Sequence, residues 1–459
     1  MNEHKVQRLD LKTKMIYACG NVGIGFIGTT HMLYLIYFFF PPKDAGLPYV
    51  IPQGSLFLGL TILGLICALG RVVDAITDPL IASWSDNCEN PKGKRTIFMK
   101  RVSLFFALVY ALVFFVPMPD SIYPINIVWV ALMLALGALF QTIFAIPHNA
   151  LLVEIAEHPD DKVDLTTFAA VFWFISFVIV SFSSYVWGFL SSRFNLEIAV
   201  AMKYTFAIMC AIGFFFLMIP SVFIDETKYR NPQKKIVFKK IPFKKSLKLV
   251  MSNSNFRVLL CWNTLYSLAT GLFEGGLIYF ITVLARKSAN MQGPLTVIIG
   301  AITLASYPFI NYFAKKYEKI KLVKMGFVLF LLMFACLSVM GLWGVPITIV
   351  LALVVIFAPL PQSVFGMLPG AMIADCAAWG EANTNENVTG MYMAAGGFIA
   401  KIAATLNSIL FTSLLLFGKD IGDDLGIRLI TIIGGVLCIV GLMFANKYNE
   451  KEVMSYAKK

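Results

Sequence analysis

The chain has 459 residues, of which 58% are hydrophobic and only 14% charged, with a net charge of +12 and a mean hydropathy of +0.77. A soluble domain carries about 25% charged residues, so these values exclude a soluble enzyme and leave a polytopic helical membrane protein, with apolar runs of 18 or more residues recurring along the whole length. The eight cysteines (19, 67, 88, 210, 261, 336, 376 and 438) lie mostly within apolar runs without metal or disulfide spacing, and read as small packing residues.

Twelve spans are predicted, at 13–40, 53–84, 99–118, 126–156, 165–190, 198–224, 255–284, 293–313, 322–343, 346–374, 390–417 and 427–446. The polar start, Met1 to Lys14, has no small-residue cleavage site, and the first apolar run is too long for a signal-peptide core, so it reads as a retained span. With the N-terminus inside, 28 of the 38 Lys and Arg residues fall on inner segments and six on outer loops, which orients both termini towards the cytoplasm. The excess positive charge therefore reports membrane orientation. Its residues sit in short loops between spans, and no nucleic-acid partner is expected.

Span two contains Arg71-Val-Val-Asp74-Ala-Ile-Thr-Asp78-Pro79. A charge near the middle of a bilayer costs about 2.5–3.5 kcal/mol on insertion scales. Steps of three and four residues place Arg71, Asp74 and Asp78 on one helical face, which must look into protein or a watery cavity. The default reading is an ion-binding site on a transport pathway. At 1.5 Å per residue, Asp74 lies about 15–20 Å from the inner helix end and Lys401 of span eleven about 17 Å. This shared level makes Lys401 the natural charge partner. An ammonium that leaves a carboxylate when a small cation arrives would couple ion to substrate, whereas a permanent salt bridge would only fix the two spans together.

Span four reads Phe144-Ala-Ile-Pro147-His-Asn-Ala150-Leu-Leu-Val-Glu154 and span ten Phe365-Gly-Met-Leu-Pro369-Gly-Ala371-Met-Ile-Ala-Asp375. Proline, alanine and carboxylate recur with a one-residue slip, as in transporters built from two parallel six-span repeats. The chain accordingly divides into a first half at 1–224, a basic cytoplasmic linker at 225–251 and a second half at 252–459. The linker carries Lys234-Lys235, Lys239-Lys240 and Lys244-Lys245 and reads as a topogenic segment near anionic headgroups. Glu154, Asp375, Lys203 and Arg257 fall near span ends, where snorkelling is cheap. Asn21, His31 and Asn407 read as interhelical hydrogen-bonding residues. His148 and Asn149 follow a proline that frees a backbone carbonyl and are candidates for substrate contact. Glu274, nearer the outer end of span seven, is another.

Arg71…Asp74-Ala-Ile-Thr-Asp78-Pro79, Ile146-Pro147-His-Asn-Ala-Leu…Glu154, Ile373-Ala-Asp375-Cys-Ala-Ala-Trp-Gly380-Glu381 and Lys401 together resemble the glycoside–pentoside–hexuronide:cation symporter family over nearly the whole chain. The resemblance implies an all-α major facilitator fold with twelve transmembrane helices in two six-helix halves. It also implies uptake of a solute with Na⁺, Li⁺ or H⁺, with Asp74 and Asp78 as cation carboxylates and Lys401 as the neighbouring lysine. Eukaryotic sodium-dependent lysolipid transporters are similar and share the paired aspartates. Sugar-reading members of the family carry aspartates in span one and before the Ile-Pro of span four, and an arginine in span five. The matching positions are Gly25, Ala145 and Ala170. A galactoside needs several buried hydrogen-bond partners, so three small residues argue for a wider, more apolar pocket.

The expectation is a monomeric cation-coupled symporter of a glycoside or other small organic solute in a bacterial inner membrane. Its partners would be substrate and membrane lipids, and it would need no cofactor beyond the coupling ion. A lysolipid or other amphiphile carrier is the rival within transport, and a membrane sensor that kept the fold but lost transport is the rival outside it. No nucleotide loop, metal-spaced His/Cys set or nucleophile motif supports an enzyme.

Overall fold

In hydrocarbon each backbone polar group needs an internal partner, so long apolar runs can be satisfied only as helices or closed barrels. The computed structural model describes residues 8–455 except 58, 89, 91–92, 157, 230–242, 343 and 385–388. The chain separates into two units, Met1–Ile236 and Val237–Lys459. The linker lysines Lys234, Lys235, Lys239 and Lys240 lie outside the described residues.

The first unit contains α1 (Leu11–Phe39), α2 (Ile62–Asp86), α3 (Thr96–Leu112), α4 (Pro124–Ile155), α5 (Pro159–Ser181), α6 (Ser183–Phe194) and α7 (Ile198–Phe223). The second contains α8 (Phe243–Ser252), α9 (Ser254–Tyr279), α10 (Gln292–Lys316), α11 (Lys319–Ser338), α12 (Ile347–Phe357), α13 (Pro359–Thr384), α14 (Thr389–Leu415), α15 (Leu425–Ala445) and the short α16 (Glu450–Val453). Among the described residues, ten helical segments are long and apolar enough to cross a membrane by length and composition. Two more helices fill the second and third predicted positions: α2 carries Arg71, Asp74 and Asp78, and α3 has 17 residues.

Local sequence sets the ends. Pro124 and Pro159 occupy the first turns of α4 and α5, where a missing N–H costs nothing. The Thr61 side chain accepts from Gly64 N to start α2, and Asn253 accepts from Phe256 N to start α9. The predicted second span begins too early. β1 (Ser55–Phe57) and β2 (Leu60–Thr61) pair antiparallel, with Gly59 at φ +80° before β2. Helix starts only at Ile62, since Gly59 holds the left-handed backbone that glycine tolerates. Span ten also differs, as a break at Ala358–Pro359 divides it into α12 and α13 and the helix runs on to Thr384.

Both units repeat one packing scheme. In the first, α1 packs on α5 and α7, α2 on α4, and α3 on α4 and α7. In the second, α9 packs on α14 and α15, α10 on α13, and α11 on α13 and α15. Small residues permit the close crossings. At the α1–α7 crossing a β-carbon on Gly23 would lie 2.7 Å from the Gly213 carbonyl. Phe106, Tyr110, Phe144, Ile27 and Leu217 form the buried core of the first unit. His31 packs beside that core, with its two ring nitrogens 3.0 Å from the carbonyls of Ile27 and Tyr110.

Candidate functional site

The α2–α4 interface holds the charged stretch. Asp74 is buried, Asp78 half-buried and Arg71 exposed, with Arg71 Nη1 3.6 Å from Asp74 Oδ2. From α4, Thr142 Oγ1 lies 3.2 Å from Asp74 Oδ1 and 3.3 Å from Asp78 Oδ1. A hydroxyl has one hydrogen to donate, so it cannot donate fully to both carboxylates at once. Two carboxylates turned towards one hydroxyl repel each other unless a proton or a cation compensates them. Carboxylate and hydroxyl oxygens suit a hard alkali cation or a proton better than a soft transition metal. Among the described residues no three His, Cys, Asp or Glu side chains cluster for a metal.

Thr142 did not stand out in the sequence. A lone hydroxyl in an apolar helix reads as neutral filler, and its neighbour Gln141 is more conspicuous. Gln141 instead accepts the Tyr110 hydroxyl at 2.8 Å. A usable signal existed: Thr142 lies twelve residues before Glu154, and Ser363 lies twelve before Asp375, so a hydroxyl recurs at the matching position.

The sequence-derived substrate positions distribute over several faces. Thr142, Ala145 and Asn149 run down one face of α4 at steps of three and four, with Ala145 half-buried and Asn149 exposed. His148 points elsewhere. It is fully buried, stacked on Tyr17 at 4.3 Å, with Nε2 3.1 Å from Asn21 Nδ2. Its Nδ1 has no hydrogen-bond partner among the described residues. Gly25 is a contact point between α1 and α5, where a β-carbon would overlap the Ser176 hydroxyl. Ala170 is exposed on α5.

In the second unit, Lys401 is half-buried on α14. Glu274 is half-buried on α9 and makes no hydrogen bond or ion pair among the described residues. One turn earlier, the Thr270 hydroxyl is buried beside that of Tyr266, and Oδ1 of Asn407 is buried without a hydrogen bond among the described residues. The Asn407 amide packs against Gly271, where a β-carbon would collide with it. Polar atoms in a hydrocarbon environment are expensive, so Thr270, Glu274 and Asn407 mark a second polar locus. The sequence singled out Glu274 as a candidate ligand and Asn407 as a helix-bonding residue, but not Thr270.

A third set lies near the C-terminal ends of α4 and α13 and the starts of α3 and α11. Glu154 accepts from Lys94 Nζ at 3.1 Å and Arg95 Nε at 3.0 Å, while Asp375 pairs with Lys319. Glu226 accepts from the backbone of Arg95 at 2.9 Å, and Glu450 from Lys319 and Ile320 at 3.0 and 2.8 Å. A buried pair, Lys14 to Asp161 at 2.7 Å, fastens α1 to the start of α5.

Known proteins of similar structure include a mutant form of the nucleoside transporter NupG (TM-score 0.67, 12% identity, covering 95% of this chain and 99% of that one). The inward-open xylose transporter XylE of Escherichia coli gives a TM-score of 0.65 at 13% identity, covering 97% and 99%. The architecture is the all-α major facilitator fold. Among sequence relatives, the uncharacterised symporter sll1374 of Synechocystis sp. is 22% identical, over 88% of this chain and 85% of its own length. A protein of Escherichia coli named as a glycoside/cation symporter, YagG, is 24% identical over 60% of this chain and 55% of its own length. The sodium-dependent lysophosphatidylcholine symporter 1 of Xenopus tropicalis is 24% identical over 56% and 54%. The last two matches span about half the length of those relatives. These neighbours are transporters and not enzymes, and because residues 16–448 match the model for MFS/sugar transport proteins, this membrane-embedded chain belongs to that family.

Proposed function

We propose that the chain is a cation-coupled symporter of a glycoside or other small organic solute, working by alternating access. The observation that carries this reading is the single Thr142 hydroxyl set 3.2 and 3.3 Å from the Asp74 and Asp78 carboxylates. Two buried or half-buried carboxylates gathered on one hydroxyl supply the oxygens and the negative charge that Na⁺, Li⁺ or H⁺ would take. Lys401 on α14 is proposed as the coupling lysine. Within the first unit, Ala145 and Asn149 on the α4 face are proposed as substrate contacts; within the second, Glu274 is proposed as another.

A ligand that binds only the native state stabilises it by RT ln(1 + [L]/Kd), about 2.7 kcal/mol at a hundred times Kd. Purified protein, titrated with NaCl or LiCl against choline chloride at matched ionic strength, should therefore melt at a higher temperature in Na⁺ or Li⁺. For proton coupling the stabilisation should instead follow falling pH. Identical melting in all three salts and at every pH would remove the coupling site. The proposed setting is a bacterial inner membrane with both termini cytoplasmic, resting on the 28-to-6 division of basic residues. Cysteines placed at 43 and 239 of intact cells check it. An impermeant maleimide should label 43 alone, and the reverse pattern inverts the topology.

The amphiphile reading has its own support. The sodium-dependent lysophosphatidylcholine symporter of Xenopus tropicalis is 24% identical, and Ala145, matched to a sugar-reading carboxylate, is a half-buried small residue on the Thr142 face of α4. Restoring a carboxylate with Ala145→Asp should weaken binding of the natural substrate, whichever class it belongs to, through the cost of burying an unpaired charge.

A further inference from the structure

A cavity of about 330 Å³ is bounded by Cys88 and Asn90, by α3 and by α4, and neither Asp74, Asp78 nor Thr142 is among its lining residues. Its lining includes Asn90, Phe98, Arg101, Phe105, Phe140 and Ile143. The volume lies in the usual range for small-molecule pockets, about 300–1,000 Å³. Its chemistry is asymmetric. Asn90 and Arg101 are its polar members, the Phe105 and Phe140 rings meet at 5.8 Å, and the lining contains no acidic residue.

Arg101 is the feature without an explanation inside the fold. It is exposed and makes no ion pair or hydrogen bond among the described residues, and Lys100 beside it is exposed too. The neighbouring basic residues Lys94 and Arg95 are taken by Glu154. Arg101 lies five residues into α3, about 8 Å along its axis, at the depth where a guanidinium reaches the headgroup region. From it, steps of four and three lead along the same helical face to Phe105 and Leu108, whose exposures are 51% and 48%. One exposed cation, an apolar pocket that it lines and exposed apolar residues on the same helical face match an anion that carries a hydrocarbon chain.

We propose that this pocket binds one anionic phospholipid from the leaflet on the N-terminal side. The phosphate sits on Arg101, with Lys100 adding to the local field, and an acyl chain lies against Phe98, Phe105, Phe140 and Ile143. Guanidinium binds phosphate through paired N–H donors, and a basic residue near an anionic leaflet gains about 1 kcal/mol. The proposal rests on the membrane-embedded family fold and is independent of which solute or ion is carried.

Native mass spectrometry of protein released from mixed phosphatidylglycerol and phosphatidylcholine micelles tests it. Wild type should retain one phosphatidylglycerol per chain with a preference of about tenfold over phosphatidylcholine. Arg101→Gln should abolish the preference, and Ile143→Trp, which fills the pocket without changing charge, should reduce retention itself. Lys100→Gln should weaken the preference only in part. Glycerol 3-phosphate in millimolar excess should not displace the lipid, because it lacks the chain. Melting temperatures of the variants, measured alongside, identify any that fail to fold, and a smaller filler, Ile143→Phe, then replaces Ile143→Trp. Equal retention of the two lipids by wild type, an Arg101→Gln variant that keeps the preference, or displacement by glycerol 3-phosphate would each overturn the site. None of these outcomes bears on the ion-dependent melting that tests the carboxylates.

Discussion

The α2–α4 interface of the first unit and the α10–α13 interface of the second are corresponding parts of one repeat, and they solve the same packing problem with different chemistry. In the second unit the contact is neutral. Ser363 Oγ donates to the Thr303 carbonyl at 2.8 Å, and Thr303 Oγ1 reaches its own helix at Ile299 O, 2.8 Å away, with Gln362 Oε1 at 3.4 Å. In the first unit the matching hydroxyl, Thr142, faces two carboxylates. The neutral version acts as an internal control. Helices of this pattern pack without acidic groups, so Asp74 and Asp78 impose a burial cost that the fold does not require. That difference supports the proposed ion site more directly than depth alone.

The largest expected effect follows from removing the difference. Asp74→Asn keeps the shape of α2 and makes its interface neutral like that of α10. The response of melting temperature to Na⁺, Li⁺ or pH should fall by at least about 100-fold in ion affinity, about 2.8 kcal/mol at about 1.4 kcal/mol per decade. The unliganded protein should remain folded, since the neutral interface of the second unit is self-sufficient. Ser363→Ala, the corresponding change in the second unit, should leave ion affinity unchanged and cost about 1 kcal/mol of stability for one lost hydrogen bond. Ion dependence persisting in Asp74→Asn, or vanishing in Ser363→Ala, would break the assignment of the ion to the first unit.

Thr142 sharpens the same comparison at a smaller scale. Thr142→Val preserves volume and removes the hydroxyl, so an ion that uses this oxygen should bind about tenfold more weakly, about 1.4 kcal/mol, while Thr142→Ser should restore binding. Titration of cation-dependent melting on both variants distinguishes a ligand from a helix-packing residue. A merely structural Thr142 would lower the melting temperature of both states equally and leave the ion midpoint where it was.

Much of this arrangement was legible in the sequence because it is periodic. Apolar runs of membrane length fixed most helices, and steps of three and four put Arg71, Asp74 and Asp78 on one face. The hidden parts depend on the second partner. Nothing near Thr142 says which way it points until α2 and α4 are packed. His148 and Asn149 are neighbours in sequence, yet a turn of about 100° sends one into the Tyr17–Asn21 contact and leaves the other exposed. Gly25 read as an opening because a small residue replaced a carboxylate, but Ser176 of α5 occupies the space. The β1–β2 pair was read as helix because its side chains are as apolar as those of the span that follows.

The smallest predicted effects lie where the two units agree. Each uses a carboxylate just after its last long helix to cap the third: Glu226 accepts from Arg95 N at 2.9 Å and Thr96 Oγ1 at 3.2 Å, and Glu450 from Lys319 N and Ile320 N at 3.0 and 2.8 Å. A helix start offers unpaired N–H groups and partial positive charge, so both carboxylates gain charge-assisted hydrogen bonds. Their surroundings differ. Glu226 is 7% exposed and lies so close to Gly93, at φ +120°, that any β-carbon there would overlap it, whereas Glu450 is half-buried. Glu226→Gln should therefore cost about 1–2 kcal/mol and Glu450→Gln about half of that. Hydrogen exchange gives the local readout. Glu226→Gln should speed exchange at the Arg95 and Thr96 amides and leave Lys319 and Ile320 unchanged, and Glu450→Gln should do the reverse. Equal costs would mean that burial adds nothing to the first cap, and exchange unchanged at Arg95 would mean that the α2–α3 connection holds α3 without Glu226.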